Sequence, residues 1–148
     1  SRGLGDVYKR QITSVSDFKQ SNGRLIFMTE AQHQINVIKW TQQPGIRRKY
    51  PELKLLYHIP NERKCSQIQG RQLKLQGVKS GVPDLHLPVA RGEYLSLYIE
   101  LKAEKGKVSD NQNWWITELQ EQGNKCVVCH GWKEAVNSLE EYLCGQRK

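Results

Sequence analysis

The sequence lacks any long apolar run: no stretch approaches the roughly 18 consecutive apolar residues that a membrane-spanning helix needs. It also lacks an N-terminal apolar segment followed by small residues, which is the pattern of a secretory signal. We therefore expect an intracellular, cytoplasmic protein with no membrane association. Disulfide bonds are not expected in that compartment, although the chain has four cysteines.

Cysteine and histidine do not occur in the pattern of a zinc site. Cys126 and Cys129 form a CxxC pair, but neither a second CxxC nor an HxxxH segment completes a set of four ligands. The segment Lys125–His130 is rich in small and β-branched residues and predicts a strand, on which residues three apart point to opposite faces. We therefore predict buried free thiols rather than structural zinc or a redox pair.

Methionine occurs only once, as Met28. The first 11 residues show no periodicity and resemble a translated adapter sequence, whereas a helix pattern begins directly after Met28. We expect residues 1–27 to be a non-native or disordered N-terminal extension and residues 28–148 to form a single domain. A chain that starts at Met28 should therefore fold and act like the full chain.

Acidic residues are few compared with basic ones: 15 Asp and Glu against 23 Lys and Arg give a formal net charge of +8. A basic small domain suits a polyanionic partner, because neutralising phosphates releases condensed counterions, although the same charge can simply serve solubility. Hydrophobic residues make up 37% of the chain, which is enough for a core and too much for a disordered protein. Composition thus leaves nucleic-acid binding open.

The order of the predicted elements indicates an α/β fold, a mixed central β-sheet flanked by helices. Helices are predicted from Thr29, as N-cap, to Trp40, with Pro44-Gly45 as the stop, and at Gln67–Gln76, Ser109–Gly123 and Lys133–Leu143. Strands are predicted at Lys54–Ile59, Asp84–Pro88, Glu93–Lys102 and Lys125–His130.

The strand Glu93–Lys102 carries the residues with the clearest chemical potential. Its leucines and isoleucine share one face, so that Glu100 and Lys102 project side by side from the other. If the preceding strand pairs with it as a hairpin, Asp84 approaches Glu100. Two adjacent carboxylates are unfavourable unless a cation or proton lies between them, and oxygen ligands of this kind suit magnesium.

Two polar residues on predicted helices point toward the same place. Gln112 shares a helix side with Trp115, Ile116 and Leu119, so it should face the sheet. Glu30 falls within an apolar helix arc, where a buried glutamate is costly unless it is paired or bound to metal. That arc comprises Ala31, Ile35, Val37 and Ile38. His86 would share the face of Asp84 on a regular strand, but a packed or exposed histidine is the simpler interpretation.

These residues, taken in order, resemble a known family. Gly81–Asp84, then Ile99–Lys102, then Gln112 resemble the PD-(D/E)xK nuclease signature in the form found in stand-alone VRR-NUC domains, including phage-like ones. Glu30 and the segment His58–Glu62 resemble that family's N-terminal half. The resemblance covers Met28 to Leu143, although the VRR tripeptide that names the family is absent.

The resemblance implies a restriction-endonuclease-like core and a metal-dependent nuclease that hydrolyses phosphodiester bonds in DNA, acting as a structure-directed endonuclease. Magnesium, with manganese as a substitute, would be held by Asp84, Glu100, the backbone carbonyl of Leu101 and Glu30. Lys102 and Gln112 would act with Asp84 and Glu100 in catalysis. The loop lysines that would contact the DNA are Lys79, Lys105 and Lys107.

Several alternatives stay open. A catalytically silent nucleic-acid-binding module would keep the fold, but it has no need of clustered carboxylates next to phosphate. A small nuclease that cuts two strands often works as a homodimer, yet no interface stripe stands out in this sequence. The preferred DNA structure, endonuclease or exonuclease action and the number of metal ions are likewise undecided.

Overall fold

A mixed sheet of four strands, in which neighbouring strands follow one another along the chain, organises the molecule. The computed structural model describes residues 18–21, 24–61 and 66–147. The strands of this sheet are β3 (Tyr57–His58), β4 (Leu85–Leu87), β5 (Leu97–Lys102) and β6 (Lys125–His130). The helices are α1 (Glu30–Thr41), α2 (Pro44–Lys49), α3 (Gln67–Leu75), α4 (Asp110–Glu121) and α5 (Trp132–Leu143). The predicted α/β architecture is confirmed.

Two further strands lie before α1. Phe18–Ser21 (β1) and Arg24–Phe27 (β2) pair antiparallel as a separate two-stranded sheet. No periodicity in the sequence predicted this hairpin. The rest of the expected extension, residues 1–17 and 22–23, lies outside the described residues.

The central strand β5 separates the two sides of the sheet. It runs antiparallel to β4 and parallel to β6. Leu97, Ile99 and Leu101 are fully buried in one core with Val37 of α1 and Leu139 of α5. Alternation therefore sends Glu100 and Lys102 to the opposite side of β5, as predicted.

The predicted start of this strand was wrong, because the chain turns before it pairs. Arg91 and Tyr94 exchange backbone hydrogen bonds of 3.1 and 2.9 Å around Gly92, whose φ is +56°. This turn keeps Glu93 and Leu95 out of the ladder, and Leu95 is 55% exposed. The paired strand thus begins at Leu97 rather than at Glu93.

The segment after the first helix differs from the prediction in two places. α1 ends at Thr41, before Pro44-Gly45, as predicted, but Pro44 also opens the unpredicted helix α2, because proline suits the first turn of a helix. The predicted strand Lys54–Ile59 is mostly a 3₁₀ helix, Pro51–Leu55, which begins at a proline and buries Leu53. Only Tyr57 and His58 pair with β4.

Capping residues fix the starts of three helices. Thr29, Ser66 and Ser109 each accept a hydrogen bond from the backbone three residues on, and a glutamine at that position returns one. The predicted helices therefore begin where expected, including α3 despite its internal glycine. Within the described ranges, no helix is long and apolar enough to cross a membrane.

Candidate active site

Asp84 lies immediately before β4, next to the strand that carries Glu100. The ladder pairs Leu85 with Ile99, so one further step places Asp84 opposite Glu100, where side chains of an antiparallel pair are neighbours. The Asp84 Oδ2 accepts a 2.7 Å hydrogen bond from the backbone N–H of Leu101. The structure thus brings Asp84 to β5, as the sequence predicted.

A buried polar chain lies on the face of β5 opposite its apolar side chains. It consists of Glu100, Gln112 and Lys102. The Gln112 Nε2 donates a 2.7 Å hydrogen bond to Glu100 Oε1, and the Lys102 Nζ lies 3.4 Å from the same oxygen. All three residues are at least 95% buried. Buried charges are costly unless they are paired and hydrogen-bonded, so each member of this chain depends on the other two.

Gln112 is held at both ends of its amide. Its Oε1 accepts a 2.9 Å bond from the N–H of Ser109, the N-cap of α4, while its Nε2 binds Glu100. The same side chain therefore closes the capping box and orients the carboxylate. The inward placement of Gln112 predicted from helical spacing is confirmed.

Glu30 reaches the site, but not as a buried residue. Its side chain is 30% exposed, and Oε1 lies 4.0 Å from Lys102 Nζ. The helix face that packs inward carries His33, Val37 and Thr41, whereas Ile35 is 52% exposed. The predicted apolar arc was therefore right for Val37 and Ile38, which pack in or against the core, and wrong for Ala31 and Ile35, which are exposed. Glu30 shares the inward face with His33 but is the first residue of α1, at the border of the core.

A cavity of about 160 Å³ opens beside Asp84. Its wall is formed by Glu30, Ala31, Gln34, His58, Asn61, Asp84 and Leu101. His58 Nδ1 donates to the backbone carbonyl of Asp84 at 2.8 Å, and Ile59 N–H bonds to the same oxygen at 2.8 Å. Gln34 was missed by the sequence analysis, although its position one helical turn after Glu30 places it on the same face.

The donor set fits a magnesium ion that keeps much of its hydration. Among the residues that the structure describes, no three His, Cys, Asp or Glu side chains are close enough to hold a metal ion. Magnesium, however, is usually held by one or two carboxylates together with waters and substrate phosphates, not by a cage of side chains. Asp84, Glu100 and the Leu101 carbonyl supply such hard oxygen atoms on neighbouring segments of the sheet. Asp84, Leu101 and Glu30 line the cavity, whereas Glu100 is buried behind its wall.

The predicted DNA-contacting lysines lie on loops around this site. Lys105 and Lys107 are exposed in the loop after β5, and Lys79 is exposed in the loop before β4. The Lys79 loop is fastened to α4, because Trp115 Nε1 and Asn111 Nδ2 both donate to the carbonyl of Ser80, at 3.0 and 2.9 Å. The fold thus holds these loops near the two ends of the buried polar chain.

The other residues considered as ligands have structural roles. Burial raises the pKa of the Cys126 and Cys129 thiols to about 11, which agrees with unreactive free thiols. Cys129 is buried as predicted, whereas Cys126 is only half-buried; Cys65 lies outside the described residues. His86 is hydrogen-bonded to two hydroxyl groups. Its Nδ1 lies 2.7 Å from the hydroxyl oxygen of Tyr57, and its Nε2 lies 3.0 Å from that of Ser96. His86 is therefore part of a polar network across the sheet and not of the carboxylate pair.

Comparison with known proteins agrees with this geometry. Residues 28–133 match the VRR-NUC domain family. A solved structure described as a VRR-NUC domain protein is similar to this chain with a TM-score of 0.70 and 27% sequence identity, over 83% of this chain and 94% of that one. No curated protein matches the sequence significantly. Because the family match spans more than half of its length, this chain belongs to the VRR-NUC domain family.

Proposed function

We propose that this chain is a magnesium-dependent nuclease that hydrolyses phosphodiester bonds in DNA and acts as a structure-directed endonuclease. VRR-NUC domains form a nuclease family, which implies a nucleic-acid substrate. The observation that carries the proposal is the buried Gln112–Glu100–Lys102 chain next to Asp84. A domain that only bound DNA would gain nothing from two carboxylates beside a phosphate.

Asp84, Glu100 and the Leu101 carbonyl are the atoms that we propose hold the cation, with Glu30 joining directly or through water. When bound, the ion supplies positive charge beside the scissile phosphate and lowers the pKa of an attacking water. The Leu101 N–H fixes the Asp84 carboxylate, and Gln112 fixes that of Glu100. Such outer contacts keep ligands in place before the ion arrives. Manganese should substitute for magnesium, because it prefers similar ligands.

Lys102 is the residue that we propose acts on the reacting groups. It lies within reach of both Glu100 and Glu30, and it is almost completely buried, so its ammonium group is screened little by solvent. In this position it can orient the attacking water or offset the charge that develops on the phosphate. Substitution with methionine should keep the shape of the side chain and lose that charge.

Lys79, Lys105 and Lys107 are proposed to bind the DNA backbone. Their ammonium groups are exposed on loops that flank the site, and the whole chain carries a net charge of +8. Contacts of this kind position the duplex without reading its sequence. Selectivity for DNA structure then has to arise elsewhere on the surface.

We further propose that two copies of the chain associate through α3. None of the residues of this helix is buried, and its Ile68 and Leu75 are each 77% exposed. Because they lie seven residues apart, they share one helix face. Light scattering of the full chain should give a dimer mass that falls to the monomer mass in Ile68→Glu/Leu75→Glu, whereas a wild-type monomer at micromolar concentration would contradict the association.

The direct test of the nuclease function is a panel of DNA substrates. Branched, flapped, nicked, single-stranded and duplex DNAs are incubated with the full chain in magnesium, in manganese and in EDTA. We expect cleavage of the branched or flapped DNAs with either ion and none in EDTA. Metal-dependent cleavage of none of these DNAs, with binding retained, would instead identify a silent DNA-binding module.

A further inference from the structure

A second, larger cavity lies beside the candidate active site. Its volume is about 450 Å³, and it lies where β5 and β6 end and α5 begins. This volume is within the range of small-ligand pockets. Its wall includes the aromatic residues His33, His130 and Trp132, together with Gly131 and residues of both charges.

The cavity is close enough to the carboxylates to meet the same DNA strand. Lys102 and His130 are register partners on adjacent parallel strands, and the Gly131 N–H donates to the Lys102 carbonyl at 2.9 Å. Adjacent strands lie about 4.8 Å apart. A nucleotide one or two positions from a phosphate at Glu100 would therefore lie at the mouth of this cavity.

Two aromatic rings give the cavity a fixed wall. His33 is 95% buried, and its Nδ1 accepts a 3.2 Å hydrogen bond from the backbone N–H of Trp132. Gly131 between them has a φ of +93°, and a Cβ there would contact the His33 ring at 3.5 Å. These backbone contacts hold the His33 ring. The Lys133 Nζ lies 5.9 Å from the centroid of the Trp132 ring, so a base would stack on the face of this ring that Lys133 leaves free.

The Trp132 indole also has an unmet requirement. Its Nε1–H is buried and has no hydrogen-bond partner in the part of the chain that the structure describes. Buried donors are nearly always paired, and an unpaired one in a native fold calls for an explanation. The N–H points in the plane of the indole, so a base stacked on the ring face leaves it to an acceptor of the adjoining sugar–phosphate backbone, which would meet this requirement.

The charges of the wall favour a base over a phosphate. Lys105 and Lys133 are opposed by Glu104 and Glu134 on the same wall, and Glu134 Oε2 accepts a 2.7 Å bond from the His130 N–H. A phosphate site would concentrate positive charge and exclude carboxylates. A nucleobase, which is neutral, flat and able to form hydrogen bonds, is compatible with a wall that carries both charges.

We propose that this cavity takes an unpaired nucleobase of the substrate strand, next to the phosphate that is cleaved, with the base stacked against Trp132. The proposal rests on the proposed DNA substrate and names the feature that the site selects. A paired base cannot leave its stack without cost, whereas an unpaired base at a bulge, flap or junction is already available. The cavity thus gives the nuclease a physical reason to prefer irregular DNA.

The test compares two DNAs that differ in one base. One is a duplex with a single bulged thymine, and the other has an abasic residue at the same position. Affinities are measured by fluorescence anisotropy in EDTA, so that nothing is cleaved. We expect the full chain to bind the bulged thymine at least about fivefold more tightly, since stacking of one base on an aromatic side chain contributes that much.

Matched tryptophan variants locate the effect. Trp132→Leu should bring the ratio of the two affinities close to one, and Trp132→Phe should keep most of it. Trp114→Leu is the control, because Trp114 is 55% exposed on α4 and is not part of the cavity wall; it should leave the ratio unchanged. Equal affinities in the wild type, or loss of preference in the Trp114 variant alone, would overturn the proposal.

A cross-linking experiment needs no variant and covers the case in which Trp132→Leu does not fold. The bulged thymine is replaced by 5-iodouracil, the complex is irradiated, and the modified peptide is identified by mass spectrometry. Cross-links to His33, His130 or Trp132 are expected, and cross-links only elsewhere would refute the cavity. Metal-dependent cleavage without a base preference would overturn this proposal alone, and a base preference without cleavage would overturn the nuclease function alone.

Discussion

At the scale of single residues, the chemistry depends on buried polar groups that fix one another. Glu100 has only 2% of its surface exposed, and Gln112 and Lys102 both contact its Oε1. A carboxylate in this position would be costly without these partners. The arrangement is therefore stable enough to exist before substrate arrives and specific enough to orient a ligand oxygen.

Gln112→Ala should damage both the site and the start of α4. The variant loses the hydrogen bond to Glu100 and the bond to the Ser109 N–H, so we expect cleavage to fall about 10- to 100-fold and unfolding free energy to fall by about 1–3 kcal/mol. Cleavage kinetics and urea denaturation measure the two effects.

Gln32→Ala is the control, because Gln32 closes the same kind of capping box on α1 with Thr29. Loss of its one side-chain hydrogen bond, from the Thr29 N–H, should cost about 0.5–1.5 kcal/mol and leave cleavage unchanged. If the two variants lost cleavage equally, Gln112 would have no particular role at Glu100.

The sequence predicted these inner residues well and Glu30 less well. Strand alternation depends only on the period of two, so Glu100 and Lys102 could be assigned to one face without knowing their neighbours. The depth to which each turn of a helix packs depends on tertiary contacts, which the sequence does not state. Glu30 lies on the inward face one turn before the buried His33, but as the first residue of α1 it is partly exposed.

At the scale of elements, the loop before β4 is tied to α4 at one glycine. Gly81 has a φ of +84°, and a Cβ there would lie 2.6 Å from Asn111 Nδ2. Asn111 in turn holds the Ser80 carbonyl at 2.9 Å. The turn that delivers Asp84 to β5 thus needs a residue with no side chain.

Gly81→Ala should therefore release the loop from α4. We expect a loss of unfolding free energy of about 1–3 kcal/mol from the strained backbone, together with reduced cleavage, because Asp84 follows three residues later. Gly77→Ala is a suitable control: Gly77 has a similar φ of +94°, but an added Cβ would meet no atom within 4 Å. Thermal melts of the two variants measure the cost of backbone strain at the glycine, and their cleavage rates show whether Asp84 is displaced. Equal cleavage by both variants would contradict the link between Gly81 and Asp84.

His86 joins three strands and makes the stability of the sheet depend on pH. Ser96 Oγ donates to Asn124 Oδ1 at 2.7 Å, so His86 Nε2–H donates to Ser96 and its Nδ1 accepts from the Tyr57 hydroxyl. The ring also stacks on Tyr98, with centroids 4.1 Å apart. These contacts suit the neutral imidazole.

Burial lowers the pKa of His86 below its ordinary value of 6.5. The unfolded chain therefore takes up a proton at a higher pH than the folded chain does. The contribution of His86 to stability is complete above about pH 6.5 and is lost as the pH falls through the lower pKa of the folded state. Urea denaturation between pH 7.5 and 5 should show a smaller pH dependence for His86→Gln than for wild type, and identical slopes would contradict this role.

Local patterns predicted elements where a specific residue type decides the outcome. Thr29 and Ser109, identified as caps, placed the starts of α1 and α4 correctly. Proline caused the errors after α1, since Pro44 opens a second helix and Pro51 begins a 3₁₀ helix where a strand was predicted. The short length of β3 also had no local signal, because it follows from where β4 lies in space.

At the scale of the whole molecule, the topology brings exposed basic loops to the candidate active site. The loops after β5 and before β4 present exposed lysines on either side of the buried polar chain. The larger cavity is built from residues between Phe27 and Glu134, which no sequence window contains together. That is why the carboxylate site could be predicted and this cavity could not.

The proposed DNA contacts should appear in the dependence of binding on salt. Each phosphate contact contributes about −0.9 to the slope of log affinity against log salt concentration. Lys105→Ala/Lys107→Ala should make this slope less steep by nearly two. Lys39→Ala serves as control, because Lys39 is exposed nine residues beyond Glu30, about 14 Å along α1. An unchanged slope in the double variant would remove these lysines from the interface.

The central claim is that Glu100 serves a metal-dependent cleavage of DNA, and single-turnover cleavage by Glu100→Gln tests it most directly. The rate on a cleavable branched DNA is measured at saturating protein in magnesium, beside wild type and the exposed-residue control Glu141→Gln. We predict a rate at least about 100-fold lower for Glu100→Gln, with DNA affinity retained and the chain still folded at the assay temperature. Its melting temperature should fall, because the buried Lys102 loses its charged partner, whereas Glu141→Gln should change neither the rate nor the melting temperature. Cleavage by Glu100→Gln at the wild-type rate would contradict the account.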